Sequence, residues 1–193
     1  MRRLIIIVEG QTEEEFVSHT LQPHFASVGI HSVTPIKIRT SGGHKGGLTS
    51  YAKFKNDATR YLRSERDVIV SSLIDFFRLP TDFPRYGEAL SKALPKDKVE
   101  VLEQGLADDI ADGRFIPYIQ LHEFEALLFT DIFGFEMLAE LALSPASNRH
   151  RILDDIQRII DAFPNPEDIN DSPETAPSKR LQKIIPGYNK VLW

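Results

Sequence analysis

The 193 residues suffice to bury the core of one domain, and 41% hydrophobic with 26% charged residues is an ordinary globular balance. The absence of cysteine excludes disulfide staples and cysteine–zinc sites, and it fits a reducing, cytoplasmic setting. A net charge of −5 excludes a generic polyanion binder, and no apolar run is long enough to span a membrane.

Leu4-Ile5-Ile6-Ile7-Val8 is an uninterrupted aliphatic run, the signature of a strand buried on both faces. Glu9 stops it too early for a secretory signal. After Gly10, the segment Thr12-Glu13-Glu14-Glu15 reads as a capping box, with Thr12 as N-cap and Glu15 at N3. The helix it opens is predicted to run to about Leu21, with Pro23 disturbing its end. A second strand is predicted over Val33–Ile38, ahead of the glycine-rich stretch 42–47 that carries His44 and Lys45. Tyr51, Phe54, Ala58, Tyr61 and Leu62 then recur at helical spacing and read as core positions. Val68–Ile74 is a third strand, ending at Asp75.

Beyond a proline-containing loop over 79–87, Val99, Leu102, Leu106 and Ile110 mark a helix that stops near Gly113. A fourth strand is predicted over Phe115–Leu121, and a helix begins almost at once with Phe124, Leu127 and Leu128. Ile152, Leu153, Ile156, Ile159, Ile160 and Phe163 form the cleanest helical stripe. Residues 164–178 read as loop, and a short helix over Lys179–Ile185 stops at Pro186-Gly187. Buried strands alternating with helices predict an α/β fold. Its central sheet is mainly parallel, of about four strands with helices on both faces, and a helical C-terminal part follows. Residues 1–130 are expected to form the core and 131–193 an extension packed on it, as a single domain overall.

Charge is unevenly spread. Eight Lys/Arg stand against two acids between Lys37 and Arg66, and eleven acids stand against two bases between Asp97 and Glu140. These halves suit phosphate chains and metal respectively; oppositely charged solvated faces packing together is the simpler reading of charge alone. Ligands of parallel α/β sheets sit beyond the carboxyl ends of the strands. Three of those ends are acidic here: Glu9 with Glu13 one turn on, Asp75, and His122-Glu123-Phe124-Glu125. Hard divalent cations want converging carboxylates, so these residues are the candidate ligands for Mg2+ or Mn2+. Taken singly, Glu9 and Glu13 also read as helix-capping acids, Asp75 as a turn former, and Glu123 as a solvated side chain. His122 reads either as a ligand or proton shuttle or as a hydrogen-bonded structural histidine.

Val8-Glu9-Gly10-Gln11-Thr12-Glu13 resembles the first motif of Toprim-type nuclease domains of the overcoming-lysogenization-defect class. The whole chain is similar to the bacterial family catalogued as domain of unknown function 4276. That similarity is carried by Glu9-Gly10-x-Thr12-Glu13, Asp75-Phe76-Phe77-x-Leu79-Pro80, the segment Leu121–Phe129, and Pro177-Ser178-Lys179-Arg180-Leu181. The resemblance implies a Toprim-like fold in which Glu9, Asp75 and Glu123 are catalytic, with Glu13 and Glu125 as further metal ligands. Phe77 stands where a Toprim DxD pair has its second acid, and an aromatic ring cannot bind a hard cation. Either Glu123 or Glu125 replaces that acid, or one metal binds, or catalysis is lost. The resemblance also implies continuation of the family beyond Trp193.

Two functions are therefore expected of the same residues. One is a metal-dependent phosphodiester hydrolase acting on nucleic acid, with Lys45, Lys179 and Arg180 as candidate phosphate contacts, in phage defence beside an ATPase partner; the loop of Lys45 also reads as a surface loop, and Lys179-Arg180 as first-turn helix residues with solvated heads. The other is a non-catalytic Toprim-like module that docks the ATPase.

Overall fold

The computed structural model describes residues 3–38, 48–77, 79–136, 148–169, 174–185 and 187–188. The glycine-rich stretch and Lys45 lie outside the described residues. Five strands form one sheet: β1 (Arg3–Val8), β2 (Val33–Lys37), β3 (Val68–Asp75), β4 (Phe115–Ile116) and β5 (Ile119–Gln120). Every pairing is parallel, in the order β2-β1-β3-β4, with β5 also on β3. The α/β architecture and the parallel sheet are those expected from the alternating pattern.

The fourth strand departs from expectation because of Pro117, which has no N–H to give a ladder. It splits the expected 115–121 strand into β4 and β5. Side chains repair the gap. The buried Ser72 hydroxyl accepts the Tyr118 N–H and donates to the Tyr118 carbonyl, both at 2.9 Å, and Glu103 accepts the Ile119 N–H at 2.8 Å. Pro35 is tolerated in β2 because that strand lies at the sheet edge.

Helices α1 (Gln11–Phe16) and α2 (Gln22–Ser27) are joined by a π-helical turn over Val17–Leu21. The widened turn closes with the Gln22 N–H on the Val17 carbonyl, so Pro23 falls in the first turn of α2, where no N–H is needed. The expected disturbance at Pro23 is thus absorbed without ending the helical path. Helix α3 (Tyr51–Ser64) follows β2, and α4 (Tyr86–Leu90) and α5 (Pro95–Ile110) lie between β3 and β4. Right-handed crossovers put α1–α2 on one face of the sheet and α3 with α5 on the other. On the second face Ile5, Ile7, Val70 and Ile74 pack with Phe54, Leu62, Leu102 and Leu106. Each such side chain contributes roughly 1.5–3 kcal/mol through burial. Gly105 lets α5 approach the 84–85 turn, since a Cβ there would meet the Pro84 carbonyl at 2.8 Å.

The chain divides into two compact units, Met1–Leu121 and His122–Trp193. Residues 124–130, grouped with the core on sequence grounds, pack on elements of the second unit. That unit contains a 3-10 helix (Phe124–Thr130), α6 (Arg149–Ala162), a short 3-10 turn (Pro166–Asp168) and α7 (Pro177–Ile184). The stripe read from sequence supplies its core: Ile152 and Ile156 pack with Phe129, Phe135, Ile169, Leu181 and Ile185. Helix α7 starts two residues before Lys179 because Pro177, read as loop, sits at its first position, where a fixed φ favours the helix.

Candidate functional site

β1 leads to β2 on one side while β3 lies on its other side, so the crevice between the ends of β1 and β3 is the topological switch point of the sheet. Glu9 and Asp75 meet there. Along β3 the N–H groups alternate in direction: those of Val70 and Phe76 reach the carbonyls of Arg114 and Gln120 on the far side. The Asp75 N–H points the other way, toward β1, which has ended at Val8. The Glu9 carboxylate takes its place, accepting that N–H at 3.0 Å through Oε1. Both acids are partly exposed.

Glu13 has a different task. Helix α1 starts at Gln11 with Gly10 as N-cap, two residues earlier than the capping box read at Thr12 and Glu15. Glu13 is therefore the N3 residue, and its Oε2 accepts the Gly10 N–H at 3.0 Å. A Cβ at position 10 would lie 2.9 Å from that oxygen, so any other residue there would make the Glu13 carboxylate shift. The buried Glu13 thus takes the helix-capping role that its sequence position also allowed.

On the other flank of Asp75 stands Gln120, its register partner in β5. Gln120 is fully buried; its Oε1 accepts from the Tyr118 hydroxyl at 2.8 Å, and its Nε2 has no hydrogen-bond partner among the described residues. Sequence reasoning passed over this residue, although an amide inside an apolar strand was a signal. Glu103, half-buried on α5, was passed over as well. Burial pushes its carboxyl pKa up, against the lowering effect of the Ile119 N–H.

The second unit holds its own acids. Glu123 is buried, and its Oε2 accepts the Ser178 N–H at 3.0 Å in the first turn of α7, where the helix dipole favours an anion. Glu125 and His122 are buried as well. The Tyr188 hydroxyl is pushed well above the usual tyrosine range, by its own burial first and then by Glu125 and Glu123, so it stays protonated. Lys179 and Arg180 diverge in their contacts. Lys179 is exposed and donates to Gln182 Oε1 at 3.1 Å, whereas Arg180 donates through Nε to the Thr175 carbonyl at 2.8 Å and stacks on Phe163.

The profile of one family, Domain of unknown function (DUF4276), matches residues 8–193. The chain belongs to this family. No curated protein and no solved structure matches it significantly. The match covers both units of this DUF4276 chain, including all five candidate acids.

Among the described residues no group of three or more His, Cys, Asp or Glu could hold a metal ion. Glu9 and Asp75 are the two candidate acids that the strand ends bring side by side. Magnesium keeps several waters and takes as few as one or two protein carboxylates alongside substrate phosphates. A pair of partly exposed carboxylate residues on adjacent strand ends fits one such ion and does not fit a two-metal centre, and Phe77 offers no ligand. Three cations of the basic stretch are met by acids: Lys37 pairs with Glu14 at 2.5 Å, Lys55 with Asp109 at 2.7 Å, and Arg60 with Asp57 at 3.4 Å. Among the described residues no helix is long and apolar enough to cross a membrane.

Proposed function

We propose that this DUF4276 chain is a single-metal phosphodiester hydrolase acting on nucleic acid in the cytoplasm, with Glu9 and Asp75 holding one Mg2+ or Mn2+ at the switch point. The observation that carries the reading is the Glu9 Oε1 to Asp75 N–H bond at 3.0 Å, which fixes the Glu9 carboxylate at the end of the strand that carries Asp75. When bound, the ion would supply charge stabilisation for a phosphoryl group and lower the pKa of a bound water. The chain's own part is positional. The Asp75 N–H orients Glu9, and Glu13 fixes the turn that follows Glu9 by accepting the Gly10 N–H. The orphaned Gln120 amide supports a polar site at this edge, because an unpaired buried donor costs roughly 1–3 kcal/mol and such costs gather where function requires them. The nuclease chemistry, a Toprim-like relationship and a setting in phage defence beside an ATPase rest on the motif resemblance.

A second reading, a non-catalytic module that docks a partner ATPase, is favoured by specific observations: Phe77 stands in place of an acid, while Glu13 and Glu123 are buried and bonded at helix starts. Incubation with supercoiled plasmid, single-stranded DNA and RNA, with and without Mg2+ or Mn2+, separates the two. The hydrolase reading expects metal-dependent cleavage of at least one polymer, abolished by Glu9→Gln and by Asp75→Asn. No cleavage of any polymer with either metal leaves the docking module, and cleavage that survives both substitutions removes Glu9 and Asp75 as its site.

A further inference from the structure

Within the second unit a cleft of about 190 Å3 opens between α6 and α7, lined by Ile159, Glu174, Thr175, Arg180, Lys183 and Ile184. Its exposed lining is mainly apolar, from Ile159 and Ile184 among others, and Arg180, Lys183 and Glu174 are its charged neighbours. Arg180 and Lys183 lie one helical turn apart on α7 and both reach back to the 174–175 backbone. Arg180 Nε donates to the Thr175 carbonyl at 2.8 Å and Lys183 Nζ to the Glu174 carbonyl at 3.4 Å. The Arg180 guanidinium is further held over the Phe163 ring, 5.1 Å from its centroid. Neither cation has an acidic side chain as its hydrogen-bond partner in these contacts, and Glu174 is met through its backbone oxygen. A guanidinium fixed through Nε keeps its two terminal nitrogens for a planar, two-oxygen acceptor.

Size decides what can enter. Sites for drug-sized ligands and cofactors take about 300–1,000 Å3, whereas an apolar cavity of about 150 Å3 takes one benzene ring. A cleft of 190 Å3 therefore suits one aliphatic side chain with its charged end. It is also open on one side, so a free small molecule would keep much of its surface in water, while a chain end can run out of the opening. An aliphatic body with a carboxylate at its tip is the last residue of a polypeptide.

We propose that this cleft captures the free C-terminus of a partner polypeptide ending in an aliphatic residue. Arg180 and Lys183 hold the terminal carboxylate, and Ile159 and Ile184 pack the side chain. The site is separate from the strand-end acids and stands whether or not those bind metal.

The test titrates the full chain with a fluorescent hexapeptide ending in leucine, as the free acid and as the C-terminal amide, with free leucine as competitor. The free acid should bind at least tenfold more tightly than the amide. Lys183→Ala, an exposed position that should fold normally, should weaken the free acid by several-fold, and Arg180→Gln by tenfold or more with circular dichroism unchanged. Glu9→Gln should bind the peptide as the parent does, which separates this site from the hydrolase proposal. Equal binding of acid and amide, binding unaffected by Lys183→Ala, or no binding at millimolar peptide would overturn the proposal. Free leucine competing as well as the peptide would overturn the polypeptide as its source.

Discussion

Glu9 directly follows β1 and Glu123 comes three residues after β5, and both make the same bond, one carboxylate oxygen accepting one backbone N–H at 3.0 Å. Their surroundings differ. Glu9 is partly exposed at a sheet edge, beside a second acid, and its bond replaces a missing rung of the β1–β3 ladder. Glu123 is buried and completes the start of a helix. A hydrogen bond to a charged group contributes about 1.5–3 kcal/mol, but that figure applies in full only where water cannot replace the partner. The contrast teaches that a carboxylate after a strand is committed to structure or left for ligands according to how deeply the carboxylate itself is buried.

The largest effect should come from the buried member. Glu123→Ala removes the charge on the α7 N-terminus, strands the Ser178 N–H and opens a cavity, at a cost of about 2–4 kcal/mol in urea denaturation. Glu9→Gln should cost no more than about 1 kcal/mol, because an amide oxygen still accepts the Asp75 N–H and water reaches the site. Equal losses would erase the distinction. Next comes Ser72→Ala, which leaves the Tyr118 N–H and carbonyl unpaired beneath the broken edge and should cost about 2 kcal/mol by the same measurement. Gly10→Ala should cost about 1 kcal/mol by pushing the Glu13 carboxylate off the helix start, while Gly29, with nothing near its Cβ position, is not held by crowding.

The smallest effect concerns protons. Burial raises the folded pKa of Glu103 above its unfolded value, so its contribution to stability is full below the ordinary carboxylate range and is lost as pH rises through the folded value. Glu103→Gln keeps an acceptor for the Ile119 N–H and loses that titration. Melting temperatures from about pH 4 to 8 should fall less toward neutral pH in this variant than in the parent. An unchanged profile would mean that the carboxyl is effectively solvated.

Much of the fold was legible because its signals are local. The β1 run and the Ile152–Phe163 stripe each declare a period and a burial state, and both were placed correctly. Punctuation was harder. Pro117 inside an apolar run and Pro177 ahead of Lys179 are both signals of where elements stop and start, and each shifts an element by a few residues. At the candidate site, the meeting of Glu9 with Asp75 follows from the rule for strand ends in parallel sheets. The capping use of Glu13 was one of its two readings, with only the helix start shifted by two residues, whereas the use of Glu123 could not be read because it depends on the N–H of Ser178, 55 positions away. Tyr188 escaped notice for the same reason, as its environment is made by tertiary packing.

The thermal response to metal tests the central claim most directly, because an ion that binds only the folded chain at 100 times its Kd adds about 2.7 kcal/mol of stability. Millimolar Mg2+ should raise the melting temperature of the parent chain and of Glu123→Gln, and should leave Glu9→Gln and Asp75→Asn unmoved. A parent that does not respond, or a Glu9→Gln variant that responds equally, would contradict a metal site at the switch point of the sheet.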